Sequence, residues 1–204
     1  MEELVQKVIE KEAEAIRNIP VSSSFSKAIE VIYERVHLQN GKLVASGMGK
    51  AGQIAQNIAT TFSSTGTPAV FLHPSDSQHG DLGVIQTNDV LLLISNSGKT
   101  REIIELVGLA NNLNPGLPLI VISGDPASAL AQNAHVFIHT GNPAEVCPLG
   151  LTPTTSTTVM TVIGDALVVA MMKKIGFTSS DYAKRHHGGY LGDKSRSQAS
   201  GNKS

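Results

Sequence analysis

The stretch Asp89–Val107, DVLLLISNSGKTREIIELV, decides how the rest of the chain is read. Val90 to Ile94 is an unbroken aliphatic run without polar alternation, as suits a strand covered on both faces by helices. The run breaks at Ser95-Asn96-Ser97-Gly98-Lys99-Thr100 and then resumes with apolar residues at helical spacing. A buried strand, a turn rich in small hydroxyls and a helix together make half of a parallel βαβ unit.

The same alternation recurs on both sides of this stretch. KLVASG, PAVFLH, LPLIVIS and AHVFIHT read as further strands, and AGQIAQNIATTF and TREIIELVGLANNL as helices between strands. Two helices precede the first strand, Glu2 to Asn18 and Phe25 to Leu38, separated by the breaker IPVSSS, whose serines can cap the second. Thr155 to Lys174 reads as a buried helix. The expected fold is α/β, a three-layer αβα sandwich with a mainly parallel sheet of about five strands, flavodoxin- or Rossmann-like. It occupies residues 1–192 with its N-terminal helices, and the small polar segment 193–204, DKSRSQASGNKS, is predicted to be a disordered tail.

Composition narrows the function. The chain has 204 residues, 41% of them hydrophobic, enough for one sizeable core in one domain. A net charge of −1, with 16% of residues charged, favours neither nucleic acid nor an anionic membrane surface, so an anionic ligand must be held locally. The single cysteine, Cys147, excludes an intramolecular disulfide, and the N-terminus is an acidic amphipathic helix rather than a signal peptide. No apolar run approaches the ~20 residues that span a bilayer. A soluble cytoplasmic protein is expected.

Ligands of open parallel sheets sit at the carboxyl ends of strands, where loops feed helix N-termini. Two such loops stand out. In SGMGKAG, Gly47, Gly49 and Gly52 fit the dinucleotide pattern G-x-G-x-x-G, but the next strand runs into His73 and Pro74 rather than an acidic residue for a ribose. A tight turn with close helix packing explains those glycines without a cofactor. In SNSGKT, Gly98-Lys99-Thr100 suggests a nucleotide P-loop, yet the required earlier glycine is Leu93. What remains is Ser95, Ser97 and Thr100 converging with backbone amides on the positive end of a helix, an arrangement that can hold a phosphate. A serine-rich turn that only caps its helix is the plain alternative.

SGMGK, STGTPAVFLHPSD, HGDLG at His79 to Gly83, ISNSGKTREI, EVCPLGLTPTTSTT at Glu145 to Thr158, GDAL and HHGGYLG at His186 to Gly192 occur together. This combination resembles the sugar isomerase (SIS) domain of bacterial arabinose-5-phosphate isomerases, over nearly the whole chain to Gly192. The resemblance implies interconversion of D-arabinose 5-phosphate and D-ribulose 5-phosphate, feeding synthesis of the eight-carbon acidic sugar (Kdo) of lipopolysaccharide. It also implies that the hydroxyls grip a sugar phosphate, with Ser46, Gly47, Ser95, Asn96, Ser97 and Thr100 as substrate- and phosphate-binding residues. Longer relatives continue into paired regulatory CBS modules, and a short form without them is expected here. Lys99 stands where relatives commonly carry Glu, and His187 where they usually carry Pro.

Aldose–ketose isomerisation moves a proton between C1 and C2 through an enediol, so it needs a base, a donor to the developing oxyanion and a way to open the sugar ring, but no redox cofactor. The resemblance carries Lys50, His79, Glu102, Glu145 and His186 into those roles. His186 is the expected base, since imidazole takes and gives a proton near neutral pH. Lys50 would stabilise the enediolate, Glu145 hold or polarise a sugar hydroxyl, His79 assist ring opening, and Glu102 open the ring or orient Lys50. No histidine pair shows a ligand spacing, so no metal is expected. The N-terminal helix and GDALVVAMM offer more apolar surface than one sandwich covers, and SIS isomerases are commonly dimers or tetramers, so a homotetramer is expected. Two alternatives stay open: a non-catalytic sugar-phosphate-binding regulatory module, and an isomerase for a different sugar phosphate.

Overall fold

Five parallel strands form the middle layer, in the order β2-β1-β3-β4-β5. They are β1 (Leu43–Gly47), β2 (Ala69–Phe71), β3 (Val90–Ile94), β4 (Leu119–Ser123) and β5 (Val136–His139). The computed structural model describes residues 1–201, with side chains through Gln198. Every residue of β1, β3 and β4 is buried, which is why their sequences lack polar alternation. The edge strand β2 is only half-buried.

Strand pleating sorts the aliphatics into two cores. Leu43, Ala45, Leu92, Ile94, Ile120, Ile122 and Ile138 face one side, packed against α2 (Ser23–Ile32), α3 (Gly49–Ser64) and α6 (Thr155–Lys174). Val44, Leu91, Leu93 and Val121 face the other, under α4 (Arg101–Leu113) and α5 (Ala129–Gln132). Right-handed crossovers produce this split: the chain moves outward one way from β1 to β2 and the other way from β3 to β5, so the connecting helices fall on opposite faces. The reversal lies between β1 and β3, whose register pairs Ser46 with Leu93 and Gly47 with Ile94. The two unusual loops therefore leave the sheet side by side.

The N-terminal helix α1 (Glu2–Arg17) packs along α6 without burying any residue fully. Ser22 caps α2 as expected, its Oγ accepting from the Ser24 amide at 3.3 Å. The second expected helix is not uniformly α-helical, because Tyr33–Leu38 continues α2 as a π-helix before the left-handed Asn40. At 20 residues α6 is long and apolar enough by composition to cross a membrane, contrary to the expectation that no run is; half of it is buried inside the fold, and its place is against α3 and the sheet.

The chain ends in two helices that the sequence did not announce, α7 (Ser179–Ala183) and α8 (Gly189–Gly201). Residues 193–201, expected to be a disordered tail, form the end of α8 in this structure. Ser195 there is buried with its hydroxyl on the Gly192 carbonyl, and Arg196 pairs with Asp193 and reaches the His187 carbonyl. The remainder of the expected tail, 202–204, lies outside the described residues.

Candidate functional site

A cavity of about 370 Å³ opens at the carboxyl ends of β1 and β3. Lys50, Ser95, Asn96, Ser97, Thr100 and Glu145 all line it, six of the residues singled out from the sequence. Three helices begin there. Lys50 and Ala51 come from the first turn of α3, Thr100 is the N-cap of α4, and Ser156 and Thr157 belong to the first turn of α6. Elsewhere α2, α5 and α7 are closed by the side chains of Ser22, Ser128 and Thr178. Neither α3 nor α4 has such a cap, so their first amides and the positive ends of their dipoles are directed at the cavity. The Thr100 hydroxyl is instead 2.8 Å from Ser95 Oγ, and Ser97 Oγ accepts the Lys99 amide at 3.2 Å.

Glycine shapes this floor at two places. A Cβ on Gly98, where φ is +62°, would stand 2.0 Å from Ser128 Oγ, so the SNSGKT loop closes onto the β4–α5 turn only without a side chain there. A Cβ on Gly47 would stand 2.8 Å from the Ala51 carbonyl, which lets α3 start close against β1.

Two lysines follow these turns, and they differ. Lys99 reaches sideways to Asp125, 3.0 Å away, and this hydrogen-bonded pairing holds the aspartate below its ordinary range. Lys50 is exposed at the cavity with no ion pair among the described residues, leaving its ammonium available for an anion. Glu145 is the opposing charge. Its Oε2 accepts the Thr154 amide at 2.7 Å, the Thr154 hydroxyl at 3.0 Å and the Ser156 amide at 3.3 Å, so it occupies the start of α6. Burial opposes its ionisation, but the hydrogen bonds from Ser156 and Thr154 outweigh it and hold the carboxyl below its usual range. Beyond it, Cys147 Sγ accepts the Thr152 and Leu151 amides at 3.1 and 3.2 Å, and these bonds, led by Thr152, lower the thiol pKa to about 7.

Five expected residues do not line the cavity. Ser46 is wholly buried, its hydroxyl donated to the Leu72 carbonyl at 2.7 Å, so it ties β1 to the end of β2. Gly47 lies buried beneath the floor as the turn glycine. His79 sits exposed on the 3-10 turn Asp76–His79, next to Gln78, whose amide reaches Glu105 of α4 at 2.7 Å. Glu102 is half-buried in the first turn of α4. His186 follows α7, its ring stacked on Tyr182 with centroids 3.7 Å apart and Nδ1 3.1 Å from the Tyr182 carbonyl. Conversely, Ser156 and Thr157 were missed, although the hydroxyl run TPTTSTT before an apolar helix was their signal. Among the described residues no three of His, Cys, Asp and Glu converge as a metal-ligand set.

A doubly wound parallel sheet with helix N-termini, hydroxyls and one free ammonium at its reversal point belongs to the class of α/β domains built to hold an anionic ligand. Residues 38–170 match the SIS domain model, and the chain belongs to the SIS domain family. It is 47% identical to the arabinose 5-phosphate isomerase KdsD of Yersinia pestis over 186 residues, 91% of this chain and 55% of that protein. The chain thus spans about half the length of the curated relatives it matches. Among solved structures it is similar to a Bacteroides fragilis NCTC 9343 protein provisionally described as a phosphosugar isomerase involved in capsule formation, with 66% identity, a TM-score of 0.92, and coverage of 93% of this chain and 99% of that one. It is also similar to an Escherichia coli CFT073 protein in complex with arabinose 5-phosphate, at 35% identity and a TM-score of 0.83, covering 90% of this chain and 96% of that one.

Proposed function

We propose that this chain interconverts D-arabinose 5-phosphate and D-ribulose 5-phosphate. The observation that carries the reading is the cavity itself, where the hydroxyls of Ser95, Ser97 and Thr100 and the uncapped starts of α3 and α4 share one space with the Lys50 ammonium and the Glu145 carboxylate. The phosphate would sit on Ser95, Ser97 and Thr100 at the start of α4. The sugar would then extend toward Lys50 and Glu145. Isomerisation of the open-chain aldose removes the C2 proton, places negative charge on the C1 oxygen of the enediolate, moves the hydroxyl proton from the C2 oxygen to the C1 oxygen and returns the abstracted proton to C1. Lys50 is placed to meet that charge, and Glu145, fixed by three donors, to orient a sugar hydroxyl.

The base is His186. A carbonyl can only accept, so the contact of Nδ1 with the Tyr182 carbonyl puts the imidazole proton on Nδ1 and leaves Nε2 as the proton-accepting nitrogen. His186 does not line the cavity of its own chain; in this reading the protein is a homotetramer in which His186 reaches a neighbouring protomer's site. His79 assists ring opening, and Glu102 opens the ring or orients Lys50.

Purified protein is incubated with arabinose 5-phosphate and ribulose 5-phosphate is followed. Tight binding without turnover would instead mark a sugar-phosphate-binding module, and turnover of another sugar phosphate alone would mark a different isomerase.

A further inference from the structure

Glu12 is a half-buried acid, one of its oxygens closed off from solvent, that the mechanism above does not use. It lies on α1, the helix that buries none of its residues fully, yet its carboxylate reaches the start of α6. The Thr155 hydroxyl is 3.1 Å from Glu12 Oε1, and the Val146 amide is 3.1 Å from the same hydroxyl oxygen. A carboxylate can only accept and a backbone amide can only donate. Thr155 must therefore donate to Glu12 and accept from Val146, and Glu12 sets the direction of the whole relay.

Val146 is the residue after Glu145. Its amide hangs on Thr155, while the Glu145 carboxylate hangs on Thr154 and Ser156. The loop is thus pinned twice to one helical turn, and Glu12 supports that turn from outside. A second cavity, of about 300 Å³, separates α1 from this loop and is lined by Lys11, Asn18, Pro143 and Glu145, so little else backs the loop on that side. Glu12 Oε2 is buried without a partner. A side chain kept only for packing has no reason to retain such an unsatisfied acceptor.

We propose that Glu12 is a positioning residue for Glu145, fixing through Thr155 and Val146 the reach of that carboxylate into the cavity. The inference rests on the isomerase reading. Misplacing a reacting group by an ångström can cost about 100-fold, so Glu12→Ala and Thr155→Val should each lower kcat by about 10- to 100-fold. KM should stay within about twofold, because the phosphate loop is untouched. Glu12→Gln keeps an oxygen for the Thr155 hydroxyl and should restore most of the activity. Placed on Glu145→Gln, Glu12→Ala should add no further loss, since both act through one group. Amide exchange at Val146 should quicken in Glu12→Ala and not in Glu12→Gln.

Unchanged kcat in Glu12→Ala, or an equal loss with and without the Glu145 carboxylate, overturns the inference while wild-type turnover leaves the isomerase reading standing. A wild-type chain that turns over no pentose phosphate ends that reading, and this inference with it. Should Thr155→Val fail to fold, the Glu12 pair decides the matter.

Discussion

Ser97 is exposed at the mouth of the α4 turn, and its hydroxyl hydrogen is free to turn toward a ligand while its oxygen accepts the Lys99 amide. Removing a hydrogen bond to a charged phosphate costs ~1.5–3 kcal/mol, about one to two decades in binding. Ser97→Ala should accordingly raise KM by that factor with little change in kcat, and unaltered affinity for the phosphorylated sugar would reject the clamp. His186→Asn should abolish exchange of the C2 proton of arabinose 5-phosphate with deuterated solvent, with binding still measurable, because losing a general base typically costs ~10²–10⁴ in rate. Exchange that survives in His186→Asn but disappears in Glu102→Gln would transfer the base role to Glu102. Cys147 offers a third measurement. Its thiol pKa is lowered, so the thiolate is already present above about pH 7. Alkylation by iodoacetamide should rise through about pH 7 rather than through the ordinary thiol range; a midpoint near 9 would show that the Thr152 and Leu151 amides do not hold the sulfur in solution.

The packing of α3 against α6 sets where the third helix N-terminus meets the cavity. The two helices approach closely at Gly164, where an added Cβ would lie 2.3 Å from Ile58 Cδ1 and 2.4 Å from Ile58 Cγ1. Alanine favours a helix interior over glycine by about 1 kcal/mol. Overpacking a full core costs about 1–3 kcal/mol, and with Ile58 itself buried the clash should win. Gly164→Ala is therefore expected to lower the urea midpoint. Ile58→Ala removes both clashing carbons, so the double variant should be more stable than the sum of the single losses predicts. Additive losses would show that α6 can shift on α3 without strain.

Assembly is a property of the surface the fold leaves uncovered. Leu4, Val5 and Ile9 of α1 are 55%, 51% and 56% exposed, and Val169 of α6 is 64% exposed. These helices pack against each other, so the apolar residues lie on one side of the sandwich. A homotetramer is expected by light scattering, and Ile9→Glu should reduce the mass by burying a charge in the interface. A stable wild-type monomer with full activity would contradict both the assembly and the sharing of His186 between protomers.

Much of this molecule was legible in the chain. Short aliphatic runs such as Val90–Ile94, bounded by turn residues, read as strands buried on both faces, and their alternation with helical segments leads to a parallel sheet, whose reversal point concentrates the SGMGK and SNSGKT loops. Ser95, Ser97 and Thr100 were accessible in this way because their chemistry travels with a local motif at a strand end, whereas Lys50 and Glu145 were singled out through the family resemblance. Other features depend on contacts between residues distant in sequence, which no window along the chain contains. Only the folded arrangement turned Ser46 inward onto the Leu72 carbonyl, paired Lys99 with Asp125 and left Lys50 free. It also gave 193–201 a helical course, placed Ser156 and Thr157 beside the SNSGKT turn, and set Glu12, 143 residues from Thr155, against the start of α6. Periodicity reports which face of an element is apolar; which polar group meets which is settled by the directional hydrogen bonds available once the layers have closed.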